Sequence, residues 1–197
     1  MNDQETAEIA HHHALCLEDP QHWFDVVAPQ IDAKAHPQQL LKRNATNALA
    51  HAAQWYAING MRVFPITPLK KNPPLVKWGS AASNDVEQVK AWWAKWPNAN
   101  IGLVCGEIFD VIDLDTIEAM QQFNAMPPSV QPPILGSVKT PHGRHIFITP
   151  EPSLSVEVGM LDGWDYRGAG GYVVAPPSHN AKGQTYEWLK PPMWVQK

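Results

Sequence analysis

Residues 109–115 read Phe-Asp-Val-Ile-Asp-Leu-Asp, an apolar run that ends in two carboxylates spaced i and i+2. In a strand that spacing places Asp113 and Asp115 on one face, about 6 to 7 Å apart along the chain. Two like charges held that close repel, and a divalent cation between them removes the repulsion. The pair therefore reads as a metal site at the end of a strand. Asp110 has the opposite parity to its apolar neighbours and reads as structural.

The flanking segments give the strand its setting. Ile101 to Cys105 is a second apolar run, joined to the first through Gly106-Glu107, which reads most simply as a hairpin. Upstream, Thr46 reads as the N-cap of a helix through Asn59, with Leu49, Ala52, Ala53, Tyr56 and Ala57 at helical spacing and Gly60 as the stop. Arg62 to Thr67 follows as a strand, then a Lys/Pro-rich loop. Asn84 and Glu87 suggest a capping box for a helix through Trp96, ended by Pro97.

Downstream, residues 116–126 read as a helix. Leu135 to Lys139 and Arg144 to Thr149 read as strands around the turn Thr140-Pro141-His142-Gly143. Trp164 to Arg167 and Gly171 to Ala175 read as strands around a glycine cluster, and Tyr186 to Leu189 as a last short strand. Asp162 reads as a turn residue. This mixture is an α/β (α+β) domain built on an antiparallel or mixed sheet.

Composition narrows the function classes. The chain has 197 residues, 44% of them hydrophobic, which suffices for one domain with an appendage. A net charge of −4 gives no support to a large basic nucleic-acid surface, although it leaves room for a local groove. The two cysteines, Cys16 and Cys105, form no disulfide framework, which fits a reducing, cytoplasmic compartment. No apolar stretch approaches the ~18 residues of a membrane span. GxxxxGK[ST] is absent, so the chain holds no P-loop. Residues 1–45, rich in His, Gln, Glu and Pro, read as short helices or an arm; His11, His12, His13 and Cys16 match no closed four-ligand zinc spacing.

Four places carry chemistry: the pair Asp113 and Asp115; His145 beside Arg144; Asp165 with Arg167 and the glycines at 168, 170 and 171; and the loop lysines Lys70, Lys71 and Lys77. Taken singly, each has an ordinary structural reading as a turn, a satisfied strand histidine or a solvated loop. Taken together, three carboxylates suit two Mg2+ or Mn2+ ions, which at about 3.5–4 Å clamp the attacking and leaving oxygens of a phosphoryl transfer. Arg offers phosphate a bidentate fork. Glycines let the backbone approach a nucleotide. Spacing alone does not separate a polymerase from a metal nuclease.

The strings VIDLD, SVKTPHGRHIFIT and, most specific, GWDYRGAGGYVVAPPSHNAKGQTYEW resemble the bifunctional primase–polymerase (Prim-Pol) domain of the archaeo-eukaryotic primase superfamily. The upstream blocks ALAHAAQWYAINGMRVFPITPLKKNPPLVKW and AWWAKWPNANIGLVCG resemble its opening helix, strand and Lys-Pro loop, and its next helix and strand. The resemblance covers residues 46–189, after an extension at 1–45 and before a linker-like tail at 190–197. It implies two packed α/β subunits, one with an RNA-recognition-motif-like antiparallel sheet, and an active site in the cleft between them.

It further implies that Asp113, Asp115 and Asp165 hold the metals and that His145 contacts the nucleotide phosphates. Arg144, Arg167, Gly170 and Gly171 lie where nucleotide contacts are expected, with Ser137, Lys139, Thr140 and Lys70 as weaker candidates. The expected substrates are a single-stranded DNA template with its primer and dNTPs or NTPs. The expected setting is replication of a plasmid, phage or integrated element, alongside a downstream helical domain or helicase that this chain does not contain. Two rival readings are a metal-dependent nuclease or phosphoesterase and a non-catalytic nucleic-acid-binding module. The turn PHGR is shorter than the family's usual double-glycine turn, and no zinc-stem spacing occurs.

Overall fold

The computed structural model describes residues 37–190. Histidines 11–13, Cys16 and the tail at 191–197 lie outside the described residues. Helix α1 spans Pro37–Ile58. It starts well before Thr46, which is therefore an interior residue and not a cap. A helix with a buried apolar stripe continues as long as its backbone bonds are made, and a threonine alone does not start one. Its expected stripe is present: Leu49, Ala52, Ala53, Tyr56 and Ala57 are buried, and Trp55 joins them. Gly60 ends it at φ 84°, a conformation glycine adopts without steric cost.

Strand β1 (Val63–Ile66) is followed by the Lys/Pro loop and the short helix α2 (Trp78–Ala81). Helix α3 (Val86–Lys95) is capped by Asp85, whose carboxylate accepts from the Glu87 N–H. The cap thus falls one residue later than the Asn84 expected from the sequence. Val89, Trp92 and Trp93 are its buried side. Strands β2 (Asn100–Val104) and β3 (Asp110–Leu114) come next, then α4 (Ile117–Ala125), N-capped by Thr116. Six strands complete the domain: β4 (Ile134–Lys139), β5 (Arg144–Ile148), β6 (Glu157–Leu161), β7 (Trp164–Arg167), β8 (Tyr172–Ala175) and β9 (Glu187–Lys190).

The strands form two antiparallel sheets, of order β1-β2-β8 and β6-β7-β3-β5-β4-β9. The mixed α/β class expected from the sequence holds. The β2–β3 hairpin does not: β2 pairs with β1 and β8, whereas β3 pairs with β5 and β7. A tight turn closes between them, with Gly106 N–H donating to Phe109 O, but the chain leaves it into the other sheet. The β7–β8 connection makes the same crossing. The two crossings touch at Gly106, where a Cβ would stand 2.4 Å from Ala169 Cα. Strand β6, absent from the sequence reading, adds an edge beside β7 with Val158 and Leu161 exposed.

Strand β3 is buried on both faces, which explains its nearly continuous apolar run. Leu114 belongs to a small core with Ala119, Phe123, Ile146, Ile148, Trp164 and Tyr166, covered by α4. Asp110, on that face, is 1% exposed; its carboxylate accepts from Tyr166 Oη and from the Glu151 N–H, so it is structural as expected. Val111 on the opposite face joins the main core, which runs from Val138 and Phe147 of the larger sheet to α1, α3 and the smaller sheet. Asp113 shares this inner face.

Candidate active site

Cross-strand register assembles the site. Asp113 pairs with His145 on one side and with Asp165 on the other. The three side chains therefore form a row across β7, β3 and β5 on the inner face. Arg167 lies opposite Val111 in the next row on that face. Asp115 follows the end of β3, its N–H donating to Gly163 O at 2.9 Å. Gly143 is what lets the β4–β5 turn close over this strand end: a Cβ there would stand 1.8 Å from Leu114 O and 3.1 Å from Asp115 Cα.

Asp113, Asp115 and Asp165 bring one carboxylate oxygen each within 4.8 Å of one another. Asp113 is buried, Asp165 half-buried and Asp115 exposed. Asp165 accepts from Gly159 N–H at 2.8 Å and from Arg167 Nη2 at 2.6 Å; the same guanidinium lies 3.9 Å from Asp113 Oδ2. Asp113 Oδ1 is buried and accepts no hydrogen bond. Burial, and next the Asp115 charge, push the Asp113 carboxyl up to about 7, against the pull of Lys71 and Arg167. Three oxygen donors converging on one point, one of them an orphaned buried acceptor, are the donor set that hard divalent cations take. The residues fit such an ion.

His145 Nε2 stands 3.4 Å from Asp113 Oδ1. This is no ion pair at neutral pH: burial, then the charges of Lys71 and Arg167, hold the imidazole down at about 3. His145 is thus a neutral ring, with a Tyr186 ring 5.9 Å away.

All of these groups but Asp165, which pairs with Asp113 on the neighbouring strand, line one cleft of about 300 Å³ between the two sheets. The larger sheet contributes Asp113, Asp115, His145 and Arg167; the smaller sheet and its loop contribute Lys71, Trp78 and Tyr172, and Gly170 and Gly171 lie at the crossing between them. Of the residues singled out from sequence, Arg144, Ser137 and Lys139 do not join them. Strand alternation turns all three to the face away from His145, since they pair with Leu114, Ile146 and Arg144. Lys139 lies 3.7 Å from Glu187. Thr140 shapes the turn, its hydroxyl accepting from Gly143 N–H at 2.9 Å.

In the loop after β1 it is Lys71, not Lys70, that faces the cleft. The buried Asn100 side chain holds that loop by donating to Lys70 O and His179 O. Trp78, Tyr172 and Tyr186 escaped the sequence reading. For Trp78 the one signal in the sequence is that nine tryptophans are many for 197 residues, which does not say which of them faces a cleft.

A family profile described as bifunctional DNA primase/polymerase, N-terminal, matches residues 53–197. The chain belongs to this Prim-Pol family. Membership suggests a nucleotidyltransferase-type enzyme acting on nucleotides and nucleic acid, as the resemblance implied. No curated protein matches the chain. No helix among the described residues is long and apolar enough to cross a membrane.

Proposed function

We propose that this Prim-Pol domain is a template-directed DNA primase/polymerase, joining nucleotides with release of pyrophosphate. The observation that carries the reading is the clustering of Asp113, Asp115 and Asp165, beside a cleft that Asp113 and Asp115 share with a neutral histidine and the cations of Lys71 and Arg167. In this reading the three aspartates hold two Mg2+ or Mn2+ ions. When bound, these supply charge stabilisation at the α-phosphate and a lowered pKa for the attacking 3′-hydroxyl.

The protein's own groups do the positioning. Arg167 and Lys71 face the triphosphate, and Arg167 exchanges its contact with Asp165 for phosphate oxygens. His145, uncharged, donates a ring N–H to a phosphate oxygen without adding a charge that repels the cations. Gly170 and Gly171 let a nucleotide approach the backbone between the sheets. The two sheets with their helices correspond to the family's paired subunits, the larger one RNA-recognition-motif-like. Residues 46–189, together with the start of α1 from Pro37, are the catalytic unit of a replication protein of a plasmid, phage or integrated element.

The test is extension of a primed single-stranded template with labelled dNTPs and NTPs in Mg2+ or Mn2+. The native chain is expected to incorporate nucleotide, and Asp113→Ala with Asp115→Ala to abolish it. Loss of the DNA substrate without added dNTP, or full incorporation by the double variant, sinks the reading.

A further inference from the structure

We propose that Trp78 is the stacking surface for the base of the incoming nucleotide, and that it binds all four bases alike. The inference rests on the nucleotidyltransferase reading above and assigns the aromatic lining of the same cleft.

The indole is held by a three-ring cluster. It stacks on Phe64, with centroids 5.6 Å apart and planes 23° apart, and Tyr172 packs edge-on against both rings at 5.1 Å. Phe64 is fully buried. Its ring packs against β2 because residue 102, its cross-strand partner, is glycine: a Cβ there would come within 2.3 Å of the ring. Tyr172 is anchored through its hydroxyl, which donates to Lys71 O at 3.4 Å. Trp78 itself is only half-buried, and its uncovered part lines the cleft.

The cleft is therefore lined by both charged and aromatic groups. Its lining combines the carboxylates of Asp113 and Asp115, Arg167 and Lys71 with the aromatic face of Trp78 and Tyr172 and the side chains of Val173 and Val174. A nucleoside triphosphate has the same mixed character, with a charged tail and a flat base that stacks. A volume of about 300 Å³ lies at the lower end of the range for small-ligand sites, which suits one nucleotide. Every base has a π-face, so stacking adds affinity without choosing among bases. A template-directed enzyme needs that tolerance, because base choice belongs to the template.

The test compares native protein, Trp78→Leu and Trp78→Phe by calorimetry with Mn2+, each titrated with dATP, dCTP, dGTP, dTTP and inorganic tripolyphosphate. Leucine keeps apolar packing on Phe64 and removes the aromatic face; a thermal melt checks that each variant is folded. Stacking is worth about 1–3 kcal/mol per base, so Trp78→Leu is expected to raise Kd about fivefold or more for every dNTP, with tripolyphosphate unchanged and most affinity restored in Trp78→Phe. A smaller rise, a rise confined to some bases, an equal loss of tripolyphosphate, or no recovery with phenylalanine overturns the proposal. If the native chain binds neither dNTP nor tripolyphosphate, the nucleotidyltransferase reading itself fails. Normal native binding with an unaffected Trp78→Leu refutes the stacking role alone.

Discussion

Asp113→Asn should make the metal-free protein more stable at alkaline pH while destroying its metal site. The Asp113 carboxyl has an ordinary value of 3.8 and is raised to about 7 in the fold, mainly by burial. Between those values the folded state holds a proton that the unfolded chain has released. Stability from this group is therefore complete below about 3.8 and is lost as pH rises through 7. At 1.36 kcal/mol per pH unit the loss by pH 8 is about 4 kcal/mol. Asparagine cannot ionise, so the variant escapes it.

A buried amide without a partner costs about 1–3 kcal/mol at every pH, so the readout is the change in the Tm gap between variant and native. For a domain of this size, at about 2–4 °C per kcal/mol, the gap should move by roughly 8–16 °C in favour of Asp113→Asn between pH 4 and pH 8. His145 acts with the opposite sign. Its value falls from 6.5 to about 3, so its contribution is present above 6.5 and lost as pH falls toward 3. It is common to both proteins and largely cancels in the difference. The assay is differential scanning calorimetry in chelator across pH 4–8, repeated with Mn2+. Saturating ion at 100 times its Kd adds about 2.7 kcal/mol to a protein that binds it, so Mn2+ should close the gap at pH 8. A gap that stays constant from pH 4 to pH 8, or that Mn2+ leaves unchanged, refutes the reasoning.

Two further outcomes follow from the geometry. Gly143→Ala drives a methyl into the Leu114 carbonyl at 1.8 Å; it should lift the β4–β5 turn from the strand end carrying Asp115, lowering Tm by several degrees and weakening Mn2+ binding, measured by calorimetry. Arg167→Met removes the cation lying 2.6 Å from Asp165. With a charge-assisted hydrogen bond worth about 1.5–3 kcal/mol, dNTP affinity should fall roughly 10-fold or more, while Mn2+ affinity without nucleotide should hold or rise.

The sequence determined what local physics can encode. Period-two alternation put Asp113 and Asp115 together and Asp110 on the other face, and the structure places Asp110 in the core with Tyr166. Helical spacing marked the buried side of α1, and the TPHG turn did close a hairpin. Alternation says which face a side chain takes, but not which strand lies beside it. Hence the β2–β3 hairpin was misread, because the short turn at Gly106 looks the same whether the next strand folds back or crosses to another sheet. Arg144 is a different case: beside His145 in the chain, it is turned to the opposite face by the strand's own parity, which alternation alone already implies.

Only tertiary structure decided that β7 and β5 flank β3. That choice sets Asp165 and His145 on either side of Asp113, residues 20 and more positions apart in the chain. It also placed Lys71 and Trp78 across the cleft from the aspartates. Burial against two sheets at once is a non-local quantity. It raises the Asp113 carboxyl and keeps His145 neutral, and no window of sequence contains it.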